Sequence, residues 1–328
     1  MTNKNNIVVI TGVSSFIGAN LAIYLAKQGY KVYGTVSSSI ENYNDVRKLR
    51  LDHVISAGAG LRELNLINTS EIKDFIHEVK PSIWFQHAAW TKDANSITFD
   101  IEKAISINVS PLDTIFKELR ECQAKGIVVT GTNAEYGDSP EAVLESDACI
   151  PETLYGLSKL SSTIRARQLA KHHGVPTRIA RVFNPIGKLD NPNKLLPIVI
   201  KSLLNEEKIS LSECTQERDF LYIQDLLIGF ELVANDLSRG DIFDIFNLCS
   251  GNRLSVKSLL INIANIMNKD LSLLDFGRKN MRSGEPFISY GNNHKARDIL
   301  GWNANNILTN LDTVVNEIIL EIGCNNDK

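Results

Sequence analysis

The chain has 328 residues, with 35 Lys+Arg against 38 Asp+Glu, a formal net charge of −3, and 43% hydrophobic residues. The length suits one large domain or two intimate ones, with room for a sizeable core. The balanced charge argues against a nucleic-acid binder, which usually needs a basic face, and the longest apolar runs, such as Ile7–Ile10, fall far short of the roughly 20 residues that span a bilayer.

Met1–Asn6 is polar and runs straight into a strand-like stretch, which is not the charged-then-apolar order of a signal peptide. The β-branched run Ile7–Thr11 predicts a strand, Ala19–Gln28 a helix ending at Gly29, and Lys31–Val36 a second strand. This is a strand-turn-helix-strand unit. Ser70–Val79 predicts a helix with Ser70 as N-cap. Ile83–His87 is expected as a buried strand, Ile101–Cys122 as helical, and Ile127–Thr130 as a strand. Leu154–His173 predicts a long helix stopping at Gly174, followed by a strand over Arg178–Phe183. The alternation predicts an α/β fold, a Rossmann-like doubly wound parallel sheet.

After Asn184 the texture changes, because residues 184–197 are rich in Pro, Asn, Lys and Gly. Helices are expected at Ile198–Asn205, Ile223–Asn235 and Val256–Met267, and a strand at Ile242–Leu248. We therefore assign residues 1–183 and about 220–248 to the sheet domain, and about 184–219 and 249–328 to a smaller, mixed C-terminal domain. The cysteines (Cys122, Cys149, Cys214, Cys249, Cys324) are odd in number and form no CxxC pair, so neither a disulfide framework nor a metal site is expected. The default is a cytoplasmic protein.

The first strand–helix junction reads Thr11-Gly12-Val13-Ser14-Ser15-Phe16-Ile17-Gly18. Gly12 permits a tight turn and Gly18 close helix–strand packing. The helix N-terminus then offers free N–H groups and a positive dipole end to a pyrophosphate. Ser15 takes the middle glycine position of a G-x-x-G-x-x-G pattern, where its hydroxyl could donate to phosphate. An acidic residue after the second strand would bind the ribose 2′-OH of NAD. Here Gly34-Thr35-Val36-Ser37-Ser38-Ser39 carries none, and Arg47, Lys48 and Arg50 follow. NADP(H) is favoured and NAD(H) possible.

Tyr155 and Lys159 stand at i and i+4, on one face of the long helix. A nearby ammonium and a cationic nicotinamide lower a Tyr pKa, so that the phenol exchanges a proton with a carbinol or carbonyl oxygen while hydride moves at carbon. Thr132, at the C-terminal end of a parallel strand, would share that cleft.

These motifs together resemble the extended short-chain dehydrogenase/reductases, in the nucleotide-sugar epimerase/dehydratase/4-ketoreductase group. Gln86-His87-Ala88-Ala89 resembles the strand end beside the cofactor, and Asn108 the Asn-Val helix start. Thr130–Gly137 is similar to S/T-x-x-x-Y-G, and Arg181–Gly187 to RxFNxxG. Glu217–Ile223 resembles RDFxYV, while Arg282–Glu285 and Lys295–Trp302 resemble the C-terminal signatures. The resemblance implies Thr132, Tyr155 and Lys159 as catalytic residues. It implies cofactor contacts from Gly12, Ser14, Ser15, Phe16, Ile17, Gly18, Ser37, Ser38, Asn65, Leu66, His87, Ala88, Ala89, Asn108, Tyr155 and Lys159. The substrate it implies is a nucleoside-diphosphate sugar, met by Thr132, Asn133, Tyr155 and Asn184, with Arg218 and Arg282 on the pyrophosphate. Asn65 and Asn292 stand where Asp is common. A homodimer through the helices at about 101–122 and 154–173 is also implied.

Three reactions share this apparatus. The 4,6-dehydratases carry Asp-Glu directly after the Thr, whereas this chain has Asn133-Ala134, with Glu135 one position late. The acid-free strand end and the Glu135-Tyr136-Gly137 segment favour an NAD(P)H-dependent reductase of an NDP-4-keto-6-deoxy sugar, with Tyr155 as proton donor to C4. The alternative is an NAD-dependent NDP-sugar 4-epimerase. Dehydration, and a cofactor-sensing regulator without catalysis, are the lesser alternatives.

Overall fold

The computed structural model describes residues 6–94, 96–281 and 286–326. Seven parallel strands form one sheet. In chain order they alternate with helices: β1 (Ile7–Thr11), α1 (Phe16–Lys27), β2 (Lys31–Val36), α2 (Asp45–Ser56), β3 (Gly60–Glu63), α3 (Thr69–Val79) and β4 (Ile83–Gln86). Then come α4 (Ile101–Asn108), α5 (Pro111–Glu121), β5 (Gly126–Thr132), α6 (Leu154–His173) and β6 (Thr177–Val182). The C-terminal third adds the short strands β7 (Pro185–Ile186), β8 (Ile209–Ser210), β9 (Glu217–Arg218) and β10 (Leu221–Tyr222), with α7 (Leu195–Leu204) and α8 (Ile223–Asn235) among them. The chain then re-enters the sheet as β11 (Phe243–Leu248), which pairs with β6 from Phe243↔Thr177 to Leu248↔Val182. Beyond it lie β12 (Leu254–Ser255), α9 (Val256–Ile266), β13 (Leu274–Asp275), β14 (Ile288–Ser289), α10 (His294–Leu300) and α11 (Ile307–Asn326).

The sheet order is β11-β6-β5-β4-β1-β2-β3. The order reverses between β1 and β4, and in such sheets ligands bind beyond the strand C-termini at that point. Thr11, the residues after Gln86, and Thr132 all end there. Alternation along each strand feeds two cores. Val9, Trp84, Ile127, Val129 and Ile179 face α3, α5 and α6, while Val8, Ile10, Val128 and Ala180 face α1 and α8. The second cluster continues without a break through Leu226 and Phe230 into Leu259, Ile263, Leu311 and Val314 of the C-terminal segments. The sheet and those segments therefore share one core. No described helix is long and apolar enough to cross a membrane.

Three expectations are corrected. The helical region 101–122 is two helices, because Pro111 lacks an N–H and its ring clashes with the preceding turn, so it can only open a new helix, α5. Asn108 accordingly ends a helix rather than starting one. Ser70 is not the N-cap of α3: Asn68 is, its Oδ1 accepting the Ser70 and Glu71 amides at 3.2 and 3.4 Å.

Candidate active site

The turn after β1 is shaped by close approaches. Gly12 has φ +77°, and a Cβ there would lie 2.9 Å from Ala88 Cα. Thr11 Oγ1 accepts the His87 and Ala88 amides at 3.0 and 2.9 Å, which locks the ends of β1 and β4 together. Ser15 is the N-cap of α1. Its hydroxyl donates to Gly12 O at 2.8 Å and accepts from the Gly18 amide at 3.1 Å. With that proton directed at Gly12, His87 Nε2–H donates to Ser15 Oγ at 3.0 Å, and His87 Nδ1 accepts from Thr130 Oγ1 at 3.0 Å. The Ser15 hydroxyl is thus folded into the turn, and it is not a free phosphate donor as the spacing suggested. The amides of Phe16 and Ile17, in the first turn of α1, have no intrahelical partner and remain open to an anion. Burial, and then Lys159, push the His87 pKa down to about 3, so the ring is neutral. This backbone cradle fits the diphosphate of a dinucleotide.

At the end of β2 the serines meet a residue that the sequence reading missed. The Tyr43 hydroxyl accepts the Ser37 amide at 3.2 Å and lies 3.3 Å from Ser37 Oγ. Burial acts to raise the Tyr43 pKa, but hydrogen bonds from Ser37, Ser38 and Ser14 bring it down overall. Arg47 lies over the Tyr43 ring at 5.8 Å. The other two basic residues are occupied elsewhere. Arg50 is buried on Leu189 O and Ser14 O at 2.8 and 3.1 Å, and Lys48 pairs with Asp52 at 2.5 Å. Asn65 is exposed, its Oδ1 accepting the Ile67 amide at 3.0 Å, whereas Leu66 is buried in the core. Ala89 is partly buried after β4.

Thr132 ends β5 and caps the turn Asn133–Glu135. It donates to Asn133 Oδ1 at 3.1 Å, and its hydroxyl acts to lower the Tyr155 pKa. Asn133 Nδ2 in turn donates to Ser289 Oγ at 2.8 Å. Tyr155 begins α6, and Phe99 stands edge-on to its ring at 6.2 Å. Helix and turn can meet because position 156 is glycine: a Cβ there would lie 2.3 Å from Ala134 O. Lys159 is buried one turn further along. Asn108 is also buried. Its Oδ1 accepts the Trp90 amide at 2.8 Å, and its Nδ2 donates to Ser158 Oγ at 3.1 Å, tying the segment after β4 to α6.

The electrostatics differ from the expectation for Tyr155. Burial pushes its pKa up to about 12, the Glu135 carboxylate adds to this, and only the Thr132 hydroxyl opposes. Burial brings Lys159 down to about 8, with Glu135 opposing. The protein alone therefore holds Tyr155 as the neutral phenol, because desolvation outweighs any ammonium effect. Glu135 itself points inward, onto Arg181 Nε at 3.0 Å.

Toward the C-terminal segments, Asn184 Nδ2 donates to Asp219 O at 3.1 Å. Arg218 is buried, with its guanidinium on Glu217 O, Phe287 O and Pro286 O at 2.8, 3.2 and 2.6 Å. Asp219 accepts from the Ser250, Gly251 and Gly291 amides and the Ser250 hydroxyl, fixing β9 beside the 249–251 and 291 loops. Arg282 lies outside the described residues. Trp302 packs against Gly229 and donates to Asp225 O at 2.9 Å, so the Leu300-Gly301-Trp302 signature anchors the end of α10 to α8.

A doubly wound sheet with a backbone anion cradle and a Thr132–Tyr155–Lys159 cluster defines a dinucleotide-dependent α/β enzyme. The chain belongs to the NAD dependent epimerase/dehydratase family, whose sequence model matches residues 8–249. It is 27% identical over 278 residues to the dTDP-4-dehydro-6-deoxyglucose reductase of Escherichia coli, covering 82% of this chain and 84% of that one. It is 25% identical over 313 residues to the UDP-glucose 4-epimerase of Halalkalibacterium halodurans, covering 90% of each. The fold matches that of the UDP-glucuronic acid 4-epimerase of Bacillus cereus with a TM-score of 0.83 at 20% identity, over 96% of this chain and 99% of that one.

Proposed function

We propose that the protein is an NAD(P)H-dependent reductase of a nucleoside-diphosphate 4-keto-6-deoxy sugar, acting at C4. The observation that carries this reading is the turn after Thr132. It presents Asn133 where a dehydratase needs a carboxylate, and it buries its one carboxylate, Glu135, on Arg181. Dehydration across C5 and C6 needs an acid/base pair beyond Tyr155, and this turn supplies none. The neutral Tyr155 phenol suits a reduction, in which the alkoxide forming at C4 takes a proton. The similarity to the E. coli reductase points the same way.

When bound, the reduced nicotinamide supplies the hydride. Tyr155 gives its proton to the carbonyl oxygen, Thr132 orients that oxygen, and Lys159 presents its ammonium beside them. Phe16 and Ile17 amides hold the dinucleotide diphosphate. The hydroxyls of Ser14, Ser37 and Ser38, gathered on Tyr43 beside Arg47, support a preference for NADP(H) over NAD(H). Asn184, Arg218 and Arg282 serve the substrate sugar and diphosphate, with Arg218 exchanging the Pro286 and Phe287 carbonyls for phosphate oxygens. Leu157 and Ile164, exposed on one face of α6, support a homodimer through that helix, and the reading places the enzyme in the cytoplasm.

The second reading is an NAD-dependent NDP-sugar 4-epimerase, supported by the 25% identity to the H. halodurans enzyme over 90% of both chains. A panel of NDP-4-keto-6-deoxy sugars with NADPH or NADH separates the two. A reductase consumes reduced cofactor in proportion to product, and an epimerase interconverts sugars with no net consumption.

A further inference from the structure

Glu135 is wholly buried at the junction of three elements. Its Oε1 accepts the Thr132 amide at 3.0 Å. Its Oε2 accepts Arg181 Nε of β6 at 3.0 Å and the Thr163 hydroxyl of α6 at 2.9 Å. Tyr155, Lys159 and Thr163 are each four residues apart, so the carboxylate grips the same face of α6 that carries the proton donor. The seat is made for it, since a Cβ at Gly131 would come 2.7 Å from Oε1. Arg181 is equally committed. Its guanidinium lies 4.4 Å from the centre of the Tyr136 ring, and Nη2 reaches Cys149 Sγ at 3.1 Å. A buried ion pair contributes little stability over an apolar pair of equal volume, so its retention beside a reactive centre points to another role.

We propose that Glu135 is a positioning residue for the reaction at Tyr155. It fixes the Thr132 turn against the face of α6 and sets a negative charge against the Tyr155–Lys159 pair. The inference rests on the reading of Tyr155 as proton donor. The groups around the Tyr155–Lys159 pair are Glu135 and Thr132 from the turn, neutral His87 from the end of β4, and the ring of Phe99. Of these only Glu135 carries negative charge. It raises both pKa values, opposing burial at Lys159 and adding to burial at Tyr155.

Glu135→Gln keeps the shape and removes the charge. Glu135→Asp keeps the charge and draws the carboxylate away from the Thr132 amide. Alkaline difference absorbance of the whole protein, minus that of the matched Tyr155→Phe form, isolates the Tyr155 phenolate. In Glu135→Gln its midpoint falls by about one pH unit or more. Glu135→Asp holds the wild-type midpoint, but kcat drops with KM unchanged. If Glu135→Gln fails to fold, the pair Glu135→Gln with Arg181→Gln leaves no lone buried charge, and its Tyr155 midpoint is read against that of Arg181→Gln alone, with the same fall expected. An unmoved Tyr155 midpoint in the folded charge-free form would overturn the proposal. If no sugar in the panel is turned over by the wild type, that failure falls on the proposed reaction, and the absorbance measurement still decides the role of Glu135.

Discussion

At Tyr155 two influences compete: burial and Glu135 hold the proton on, and Thr132 eases it off. Replacing Tyr155 with Phe removes the phenol proposed as donor and leaves the binding surfaces in place. Turnover should fall about 100- to 10,000-fold, with nucleotide-sugar affinity retained, as measured by calorimetry beside initial rates. Near-normal turnover would remove Tyr155 from the acid role. Residue identity made this much legible, because Tyr155 and Lys159 share a helix face whatever their surroundings. Partners across the fold were not legible. Ser15 looked like a phosphate donor, yet its hydroxyl faces Gly12 O and His87. Tyr43 carried no signal of its own, and only the sheet edge brings three serines onto it. Gly131 and Gly156 were the missed clues, since each marks where another group comes too close for a side chain.

Elements behave as rigid carriers of these groups, and their junctions are sensitive to small changes. Gly156→Ala places a methyl 2.3 Å from Ala134 O, so α6 must shift from the Thr132 turn. We expect a loss of about 1–3 kcal/mol in denaturant unfolding together with a large drop in kcat. An unchanged kcat would show that the Thr132–Tyr155 approach is not needed. Asn108→Ala unties Trp90 from Ser158 and leaves buried polar groups unpaired, which should cost about 1–3 kcal/mol by the same measurement. Helices with a clear stop signal were readable to the residue, as with Leu154–His173, which ends at the left-handed Gly174. The split at Pro111 and the Asn68 cap were not, because local backbone chemistry overrode a continuous apolar pattern. Helix α2, whose apolar periodicity is weak and whose charged residues are many, gave no signal at all.

The core on the α1 and α8 side of the sheet runs on into α9 and α11, so stability at the far end reports on that side of the sheet. Glu321, on α11, accepts the Leu189 amide at 2.7 Å beside a cavity of about 350 Å³ lined by Val46, Leu49, Ile318 and Ile322. Burial raises its pKa from 4.5 to about 7. The folded state thus binds the extra proton in that window, and stability should fall as pH rises from 4.5 to about 7. Glu321→Gln keeps the acceptor and abolishes this slope, so its Tm advantage over wild type should grow across the window, and a constant difference would contradict the assignment. The doubly wound order followed from alternation in the sequence, but the depth to which the C-terminal segments join the sheet core depends on contacts between residues far apart in the chain. The chemistry is tested most directly by incubating the wild-type protein with an NDP-4-keto-6-deoxy sugar and reduced cofactor and following both. The prediction is one reduced nicotinamide consumed per sugar reduced at C4, and sugar interconversion with no net cofactor consumption would contradict it.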